Sequence, residues 1–195
     1  MNNMNSDAVI KNYEEHGALL RGHFLLSSGL HSDAYLQSEL IMQDPANAKK
    51  VISGLKDVLK DLDFTTIVSP AIGGIRFGYE LASQLNKRSL FTERVDGVMT
   101  FRRGFTLQKG EKVIVAEDVV TTGKSTKECI KAIEDAGGVV VGIASIIDRS
   151  SGKAGFTVPF YPLASIEVKS YSADECPMCK EGLPCVKPGS RVFAK

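Results

Sequence analysis

The fold is decided by residues 112–148, KVIVAEDVVTTGKSTKECIKAIEDAGGVVVGIASIID, in which two apolar runs flank a helical stretch. The same alternation begins upstream at Thr65, in TTIVSP, GIRFGYELASQL and RSLFTE. Near-continuous apolar strands separated by helices of about 10–15 residues predict a parallel sheet that is covered on both faces. In such sheets ligands bind beyond the carboxyl ends of the strands, so the turns that follow the strands are where a site is expected.

Composition limits the classes of protein to consider. The chain has 195 residues and a formal net charge of +1, from 24 Lys+Arg against 23 Asp+Glu. This balance argues against nucleic-acid binding, and 43% hydrophobic residues are too many for a disordered chain. We find no secretory signal, no apolar run of the roughly 18 residues that a membrane span needs, and no disulfide framework spread through the chain. We therefore expect one cytoplasmic domain that binds neither nucleic acid nor membrane.

Elements before the alternating region are predicted from local signals. Residues 6–20 have helical spacing of apolar side chains, with Ser6 or Asp7 as the cap. Residues 23–37 alternate and break at Ser28-Gly29, which predicts two short strands. Asp44-Pro45 opens a further helix with a capping side chain and a proline in the first turn. Its predicted apolar face consists of Val51, Ile52, Leu55, Val58 and Leu59.

Two segments interrupt the regular pattern. Residues 93–110 are long, polar and punctuated by glycine, and VMTF and FTLQ are predicted to form a hairpin around Arg103-Gly104. A connection of this length inside a compact domain is usually functional or mobile. Beyond Ser170 the chain is rich in Pro, Gly and Cys and has little periodicity, so we expect an irregular tail on the surface.

The strongest functional signal is the strand-turn-helix sequence VIVAEDVVTTGKST at 113–126. The strand ends in Glu117 and Asp118, and the turn Thr121–Ser125 presents main-chain N–H groups at a helix N-terminus, which suits a phosphate. The acidic pair then suits sugar hydroxyls or an oxygen-coordinated Mg²⁺. A nucleoside-triphosphate P-loop is excluded because it needs a glycine at position 118. The alternative without a ligand is an exposed strand end followed by a capped helix.

The motif resembles the ribose-phosphate-diphosphate signature of the type I phosphoribosyltransferases. VSPAIGGIRFG at 68–78 resembles the diphosphate loop of the orotate phosphoribosyltransferases, and the hairpin GHFLLSSGLHSDAYL resembles their N-terminal element. Arg149, in IIDRS, stands where those enzymes have the arginine that binds the carboxylate of the base. The resemblance covers roughly residues 15–150. It implies an α/β fold with a mainly parallel sheet flanked by helices, divided into N-terminal hood elements (1–43), a core (44–170) and a tail (171–195).

The resemblance also implies an activity: Mg²⁺-dependent transfer of the 5-phosphoribosyl group from phosphoribosyl diphosphate to orotate, in UMP biosynthesis. It implies a homodimer, and it leaves two alternatives open: a purine acceptor, which Arg149 disfavours, and a regulator that senses phosphoribosyl diphosphate. No direct protein ligand to the Mg²⁺ is expected. The implied residues are Ala71, Gly73, Gly74, Glu117, Asp118, Val119, Val120, Thr121, Thr122, Gly123, Lys124 and Ser125 for the donor, Thr121 and Arg149 for orotate, and Arg94, Arg102, Arg103 and Asp118 for catalysis.

Two features depart from the commonest pattern of the family. The position before the Ser-Gly of the hairpin is Ser27 rather than lysine, and residues 93–104, at the place of the family's mobile loop over the diphosphate, carry Arg94, Arg102 and Arg103 with neither Lys nor His. A shorter subfamily with an R-x-D-G…RRG loop and a Cys-containing tail resembles this chain more closely. Within the tail we expect surface or packing cysteines rather than zinc, because three thiols lack a fourth ligand and no His lies there. We expect the three histidines, His16, His23 and His31, on the surface, and the fourth cysteine, Cys129, in the core.

Overall fold

The structure is a computed structural model that describes residues 4–26 and 29–188. Its centre is a six-stranded sheet in the order β5-β4-β3-β6-β7-β8. All neighbouring strands are parallel except β4 and β5, which form an antiparallel pair at one edge. The strands are β3 (Thr66–Pro70), β4 (Arg88–Val95), β5 (Val98–Phe101), β6 (Lys112–Val120), β7 (Val139–Asp148) and β8 (Phe160–Ser165). The predicted parallel α/β sheet is confirmed.

Helices cover both faces of this sheet and form two apolar layers. The larger layer lies beneath the helices α1 (Ser6–Glu15), α3 (Pro45–Leu59) and α4 (Gly74–Leu85). The smaller layer lies beneath α5 (Lys124–Asp135), with Cys129 and Ile133 fully buried in it. Cys129 is therefore a core residue, as predicted.

A second, smaller sheet joins the two ends of the chain. The strands β1 (Leu19–Leu25) and β2 (His31–Leu36) form an antiparallel hairpin, and β9 (Ser170–Tyr171) pairs with β2. The described residues also form two four-residue helices, α2 (Glu39–Met42) after the hairpin and α6 (Pro177–Lys180) in the tail. The predicted hairpin is confirmed, whereas Ser27 and Ser28 of its turn lie outside the described residues.

The N-terminal helix is shorter than the sequence predicts. It ends at Glu15, because Gly17 takes a positive φ of 64° and the chain then enters β1. The cap is Asn5 rather than Ser6 or Asp7, since the Asn5 side chain accepts a hydrogen bond from the Ala8 N–H at 2.9 Å.

The helix α3 begins as predicted. The Asp44 side chain accepts hydrogen bonds from the N–H groups of Ala46 and Asn47, at 2.9 and 3.3 Å. Val51, Ile52, Leu55 and Leu59 are buried, but Val58 is 50% exposed, so its place on the apolar face was predicted wrongly.

The hairpin predicted around Arg103-Gly104 is wrong. The chain turns instead at Asp96 and Gly97, whose φ angles of 49° and 83° match the two-residue turn that Asp-Gly favours between antiparallel strands. VMTF forms β5, while residues 105–108 form no strand and return over the smaller apolar layer. There the Phe105 ring packs edge-on against Phe91. No helix in the described ranges has the length and apolar character to cross a membrane.

Candidate active site

Two strand-to-helix turns meet at the carboxyl edge of the sheet. The strands β3 and β6 are direct parallel neighbours, so the turn before α4 and the turn before α5 lie side by side. A Cβ on Gly73 would lie 3.1 Å from Asp118 Oδ1, and one on Gly74 would lie 3.0 Å from the Ala116 carbonyl oxygen. Glycine at these positions therefore lets the first turn of α4 approach the acidic strand end closely. The Ala71-Ile72 peptide in this turn is cis.

Both carboxylates at the end of β6 have hydroxyl partners. The Thr126 hydroxyl donates to Glu117, and Asp118 is hydrogen-bonded to Ser38. Burial raises the pKa of Glu117 to about 7, opposed by the Thr126 hydrogen bond, and burial also raises the pKa of Asp118. The pair is thus held in place before any ligand arrives, and in the free protein part of its charge is suppressed.

The turn between β6 and α5 has the shape expected of an anion cradle. Gly123 has a φ of 71° and directly precedes the first residue of α5, so the N–H groups without an intrahelical partner start at this point, and that of Lys124 donates to Thr122 Oγ1 at 3.4 Å. A Cβ on Gly123 would lie 2.8 Å from a ring carbon of Phe156 and 3.2 Å from the Ala154 side chain. Thr121 and Thr122 are exposed beside it. Main-chain N–H groups and the helix dipole together favour a phosphate here.

Arg149 stands directly after β7, beside this turn. Its main-chain N–H donates to the Val120 carbonyl oxygen at 2.8 Å, which fixes its backbone next to the end of β6. Its side chain is half-buried, and the buried Nε has no hydrogen-bond partner among the described residues. Burial lowers the pKa of Arg149, while the Asp33 carboxylate on β2 opposes the shift. An Nε–H that is already desolvated and unpaired is prepared to bind a carboxylate.

The three loop arginines lie on the β4–β5 hairpin and just after it. The Arg103 guanidinium makes a two-pronged ion pair with Glu93, at 2.8 and 2.9 Å. Arg94 pairs with Glu128 of α5 at 2.5 Å. Arg102 is exposed and has no ion pair with any residue in the described ranges. The structure therefore brings the acidic pair, the two turns and Arg149 together. It places the segment that carries Arg94, Arg102 and Arg103, here called the arginine loop, at one edge of the sheet.

Comparison with known proteins identifies the family. A family model for the phosphoribosyl transferase domain matches residues 37–171. A curated orotate phosphoribosyltransferase from Caldicellulosiruptor saccharolyticus is 48% identical over 188 residues, covering 96% of this chain and 98% of the relative. The chain belongs to the orotate phosphoribosyltransferase family. A second family member, from Caldicellulosiruptor bescii, is also 48% identical, with 96% and 99% of the two chains covered.

The fold agrees with that of a solved member of the orotate phosphoribosyltransferase family. The crystal structure of orotate phosphoribosyltransferase from Aeropyrum pernix superposes with a TM-score of 0.68 at 26% identity. The match covers 81% of this chain and 93% of the other. The type I phosphoribosyltransferase fold and the resemblance to the orotate enzymes, both predicted from the sequence, are confirmed.

Sequence reasoning missed two side chains of this orotate phosphoribosyltransferase site. Thr126 lies one residue beyond the assigned turn, and a hydroxyl on the first turn of α5 was a local signal for it. Ser38 had no local signal, because it reaches Asp118 only through the fold. Its hydroxyl also lies 3.0 Å from the hydroxyl of Tyr13, which links α1 to the acidic pair.

A different cavity of about 480 Å³ lies at the opposite edge of the sheet, near the amino ends of β4 and β6. Most of its charged side chains are paired within the protein: Lys112 pairs with Asp63 at 2.5 Å, and Arg88 pairs with Glu111 at 3.0 Å. Because these groups already have partners, this cavity is a poor candidate for a phosphate site in a member of the orotate phosphoribosyltransferase family.

Proposed function

We propose that this protein transfers the 5-phosphoribosyl group from phosphoribosyl diphosphate to N1 of orotate, giving orotidine 5′-monophosphate and diphosphate. The observation that carries the choice of acceptor is the unpaired, buried Nε of Arg149 at the carboxyl edge of the sheet. A guanidinium presents parallel N–H groups to a planar carboxylate, and orotate has such a carboxylate whereas hypoxanthine and adenine do not. Thr121, the first residue of the turn between β6 and α5, completes the proposed contact with the base.

The donor is proposed to lie across the two turns. Main-chain N–H groups of Thr121–Ser125 bind the 5′-phosphate, because they converge at the N-terminus of α5. Glu117 and Asp118 accept hydrogen bonds from the ribose hydroxyls. The diphosphate lies against the backbone of Ala71–Gly74, at the N-terminus of α4. Val119 and Val120 contribute backbone to the same cradle.

Mg²⁺ fits this donor set. Carboxylate oxygens are ligands that a hard cation accepts, and Mg²⁺ commonly keeps several waters and binds mainly through phosphate oxygens. Glu117 and Asp118 would hold its water ligands, since hydrogen bonds from Thr126 and Ser38 already occupy part of their acceptor capacity. When bound, the ion neutralises charge on the diphosphate leaving group.

The protein groups are proposed to act by positioning and by charge. Breaking the bond between the anomeric carbon and the diphosphate builds positive charge on the ribose and negative charge on the leaving group. The carboxylates of Glu117 and Asp118 lie on the ribose side. Arg94, Arg102 and Arg103 are proposed to close over the diphosphate and exclude water. No histidine general acid is needed for this role.

We further propose a cytoplasmic homodimer in which the arginine loop serves the neighbouring site. Arg103 is bound to Glu93 and Arg94 to Glu128 of α5, so both guanidiniums are occupied by acidic residues of their own subunit. Exposed apolar side chains on and before α4, Ile72 at 80% and Tyr79 at 68%, supply surface that a second copy can cover.

Turnover of purified protein tests the proposal. With phosphoribosyl diphosphate and Mg²⁺, we expect loss of the orotate absorbance and release of diphosphate, and no turnover with hypoxanthine or adenine. Turnover with a purine and none with orotate would refute the assignment of Arg149. Tight donor binding without turnover of any base would favour the regulatory alternative.

A further inference from the structure

Four side chains from both ends of the chain converge beside the small sheet. They are His23 on β1, His31 on β2, and Cys176 and Cys179 at the start of α6 and within it. One ligand atom from each lies within 4.8 Å of all the others. His23 and Cys176 are buried, so the surface expectation was wrong for His23. The expectation that the tail thiols lack further ligands was also wrong, because the hairpin supplies two imidazoles.

The distances match a tetrahedral ion with two nitrogen and two sulfur ligands. With Zn–N of about 2.0–2.1 Å and Zn–S of about 2.3 Å, a tetrahedral zinc holds N and S ligands about 3.6 Å apart. His23 Nε2 lies 3.5 Å from Cys176 Sγ and 3.7 Å from Cys179 Sγ, and His31 Nδ1 lies 3.3 Å from Cys179 Sγ. The two imidazole nitrogens are 2.7 Å apart, and the ion would widen this gap to about 3.3 Å.

The surroundings of His23 prepare its ring for a metal. Its Nδ1 donates a hydrogen bond to the Leu183 carbonyl oxygen at 2.9 Å, so the proton of the neutral ring is on Nδ1. The lone pair of Nε2 therefore faces the group formed by His31 Nδ1 and the two thiols. A backbone carbonyl that fixes the second nitrogen is the usual support for a histidine ligand.

The tail lacks an apolar core that would hold it in place. Within the described part of the tail after β9, Cys176 is the one buried side chain, and α6 contributes no buried apolar residue. Its other anchors are main-chain hydrogen bonds, such as Leu25 N–H to the Val186 carbonyl oxygen at 2.8 Å. A short irregular segment of this kind commonly depends on a metal or a disulfide for stability.

We propose that His23, His31, Cys176 and Cys179 bind one structural Zn²⁺ that fixes the C-terminal tail to the N-terminal hairpin. Four protein ligands leave no open position, which is the arrangement of a structural rather than a catalytic zinc. Cys185 lies outside the set: its Sγ is 4.0 Å from His31 Nδ1, and it is exposed. This site is separate from the phosphoribosyl turns, so it stands or falls independently of the proposed activity.

Metal content of the full-length protein tests the proposal. The protein is purified under reducing conditions, reloaded with zinc and passed through a desalting column, and its zinc is measured by inductively coupled plasma mass spectrometry. We expect about one zinc per chain in the wild type and in the matched control Cys185→Ser, and a loss of about tenfold or more in Cys176→Ser and Cys179→Ser. Chelation should lower the melting temperature of the wild type and leave that of Cys179→Ser unchanged.

Cobalt provides a readout that does not depend on the stability of the variants. Co²⁺ titrated into the metal-free wild type should give the visible bands of a tetrahedral ion and a thiolate charge-transfer band. The zinc-loaded protein should react with a thiol reagent about tenfold more slowly than the metal-free protein. Substoichiometric zinc after reloading, with no such bands, would overturn the proposal. So would a Cys176–Cys179 disulfide in the purified protein with no zinc binding after its reduction.

Discussion

Replacing Arg149 with alanine should raise the KM for orotate far more than it changes any other kinetic constant. The buried Nε has no hydrogen-bond partner among the described residues, so the cost of desolvating it was met on folding and a carboxylate gains nearly the full value of its hydrogen bonds. Two charge-assisted hydrogen bonds contribute about 1.5 kcal/mol or more each, or about 3 kcal/mol together. At room temperature this corresponds to an increase in KM of roughly 150-fold.

Steady-state kinetics with orotate and phosphoribosyl diphosphate varied separately provide the assay. The KM for the donor should change by less than about threefold, because Arg149 lies beside the phosphate turn and is not part of it. The KM for orotate of Arg149→Lys should lie between those of the wild type and Arg149→Ala, since an ammonium keeps the charge but loses the planar fork. Arg21→Ala is the matched control, because Arg21 lies on the hairpin and forms an exposed ion pair with Glu14 of α1. Equal weakening of both substrates, or an unchanged orotate KM, would refute the reasoning.

Gly123→Ala should destabilise the ligand-free protein by about 2 kcal/mol, which lowers Tm by about 4–8 °C. The reason is that φ at this residue is positive and the new Cβ would meet the Phe156 ring. An unchanged melting curve would contradict this prediction. Burial raises the pKa of Glu117 from 4.5 to about 7, so this carboxyl stabilises the folded state below pH 4.5 and loses that contribution as pH rises through 7. The stability of Glu117→Gln relative to wild type should therefore rise between those pH values in denaturant titrations, and a flat difference would show that Glu117 titrates normally. Arg102→Ala should lower kcat by about 10- to 100-fold with little change in donor affinity, measured by steady-state kinetics, and an unchanged kcat would remove it from the site.

Local signals were sufficient for several elements. The start of α3 was predicted from local sequence alone: Asp44 as the cap, the proline after it and an apolar stripe. The hydroxyl-glycine turn after the doubled acid predicted the junction of β6 and α5, although β6 runs two residues past Asp118, to the buried Val120. Gly123 takes the positive φ that this junction requires.

Competing local signals explain the hairpin error. VMTF and FTLQ both alternate, so alternation alone did not show which segment pairs with β4. The Asp96-Gly97 turn decides the pairing, and Phe105 then packs on Phe91 instead of continuing as a strand. The Asp96-Gly97 dipeptide was the stronger sequence signal, because it favours a two-residue turn with two positive φ angles.

Contacts between distant parts of the chain were beyond sequence reasoning. Ser38 meets Asp118 only because the hood packs over the end of β6. His23 meets Cys176 across most of the chain, since β9 and the tail return to the N-terminal hairpin. Neither pair leaves a periodic or spaced pattern in one window of sequence.

The most direct test of the phosphoribosyl site is isothermal titration calorimetry of phosphoribosyl diphosphate into the ligand-free protein with Mg²⁺ in excess. We expect binding at one site per chain, and affinity weakened by about tenfold or more in Gly123→Ala, because main-chain N–H groups of that turn are proposed to hold the 5′-phosphate. Absence of binding heat in correctly folded wild type, or equal affinity in the variant, would contradict the assignment of the turn.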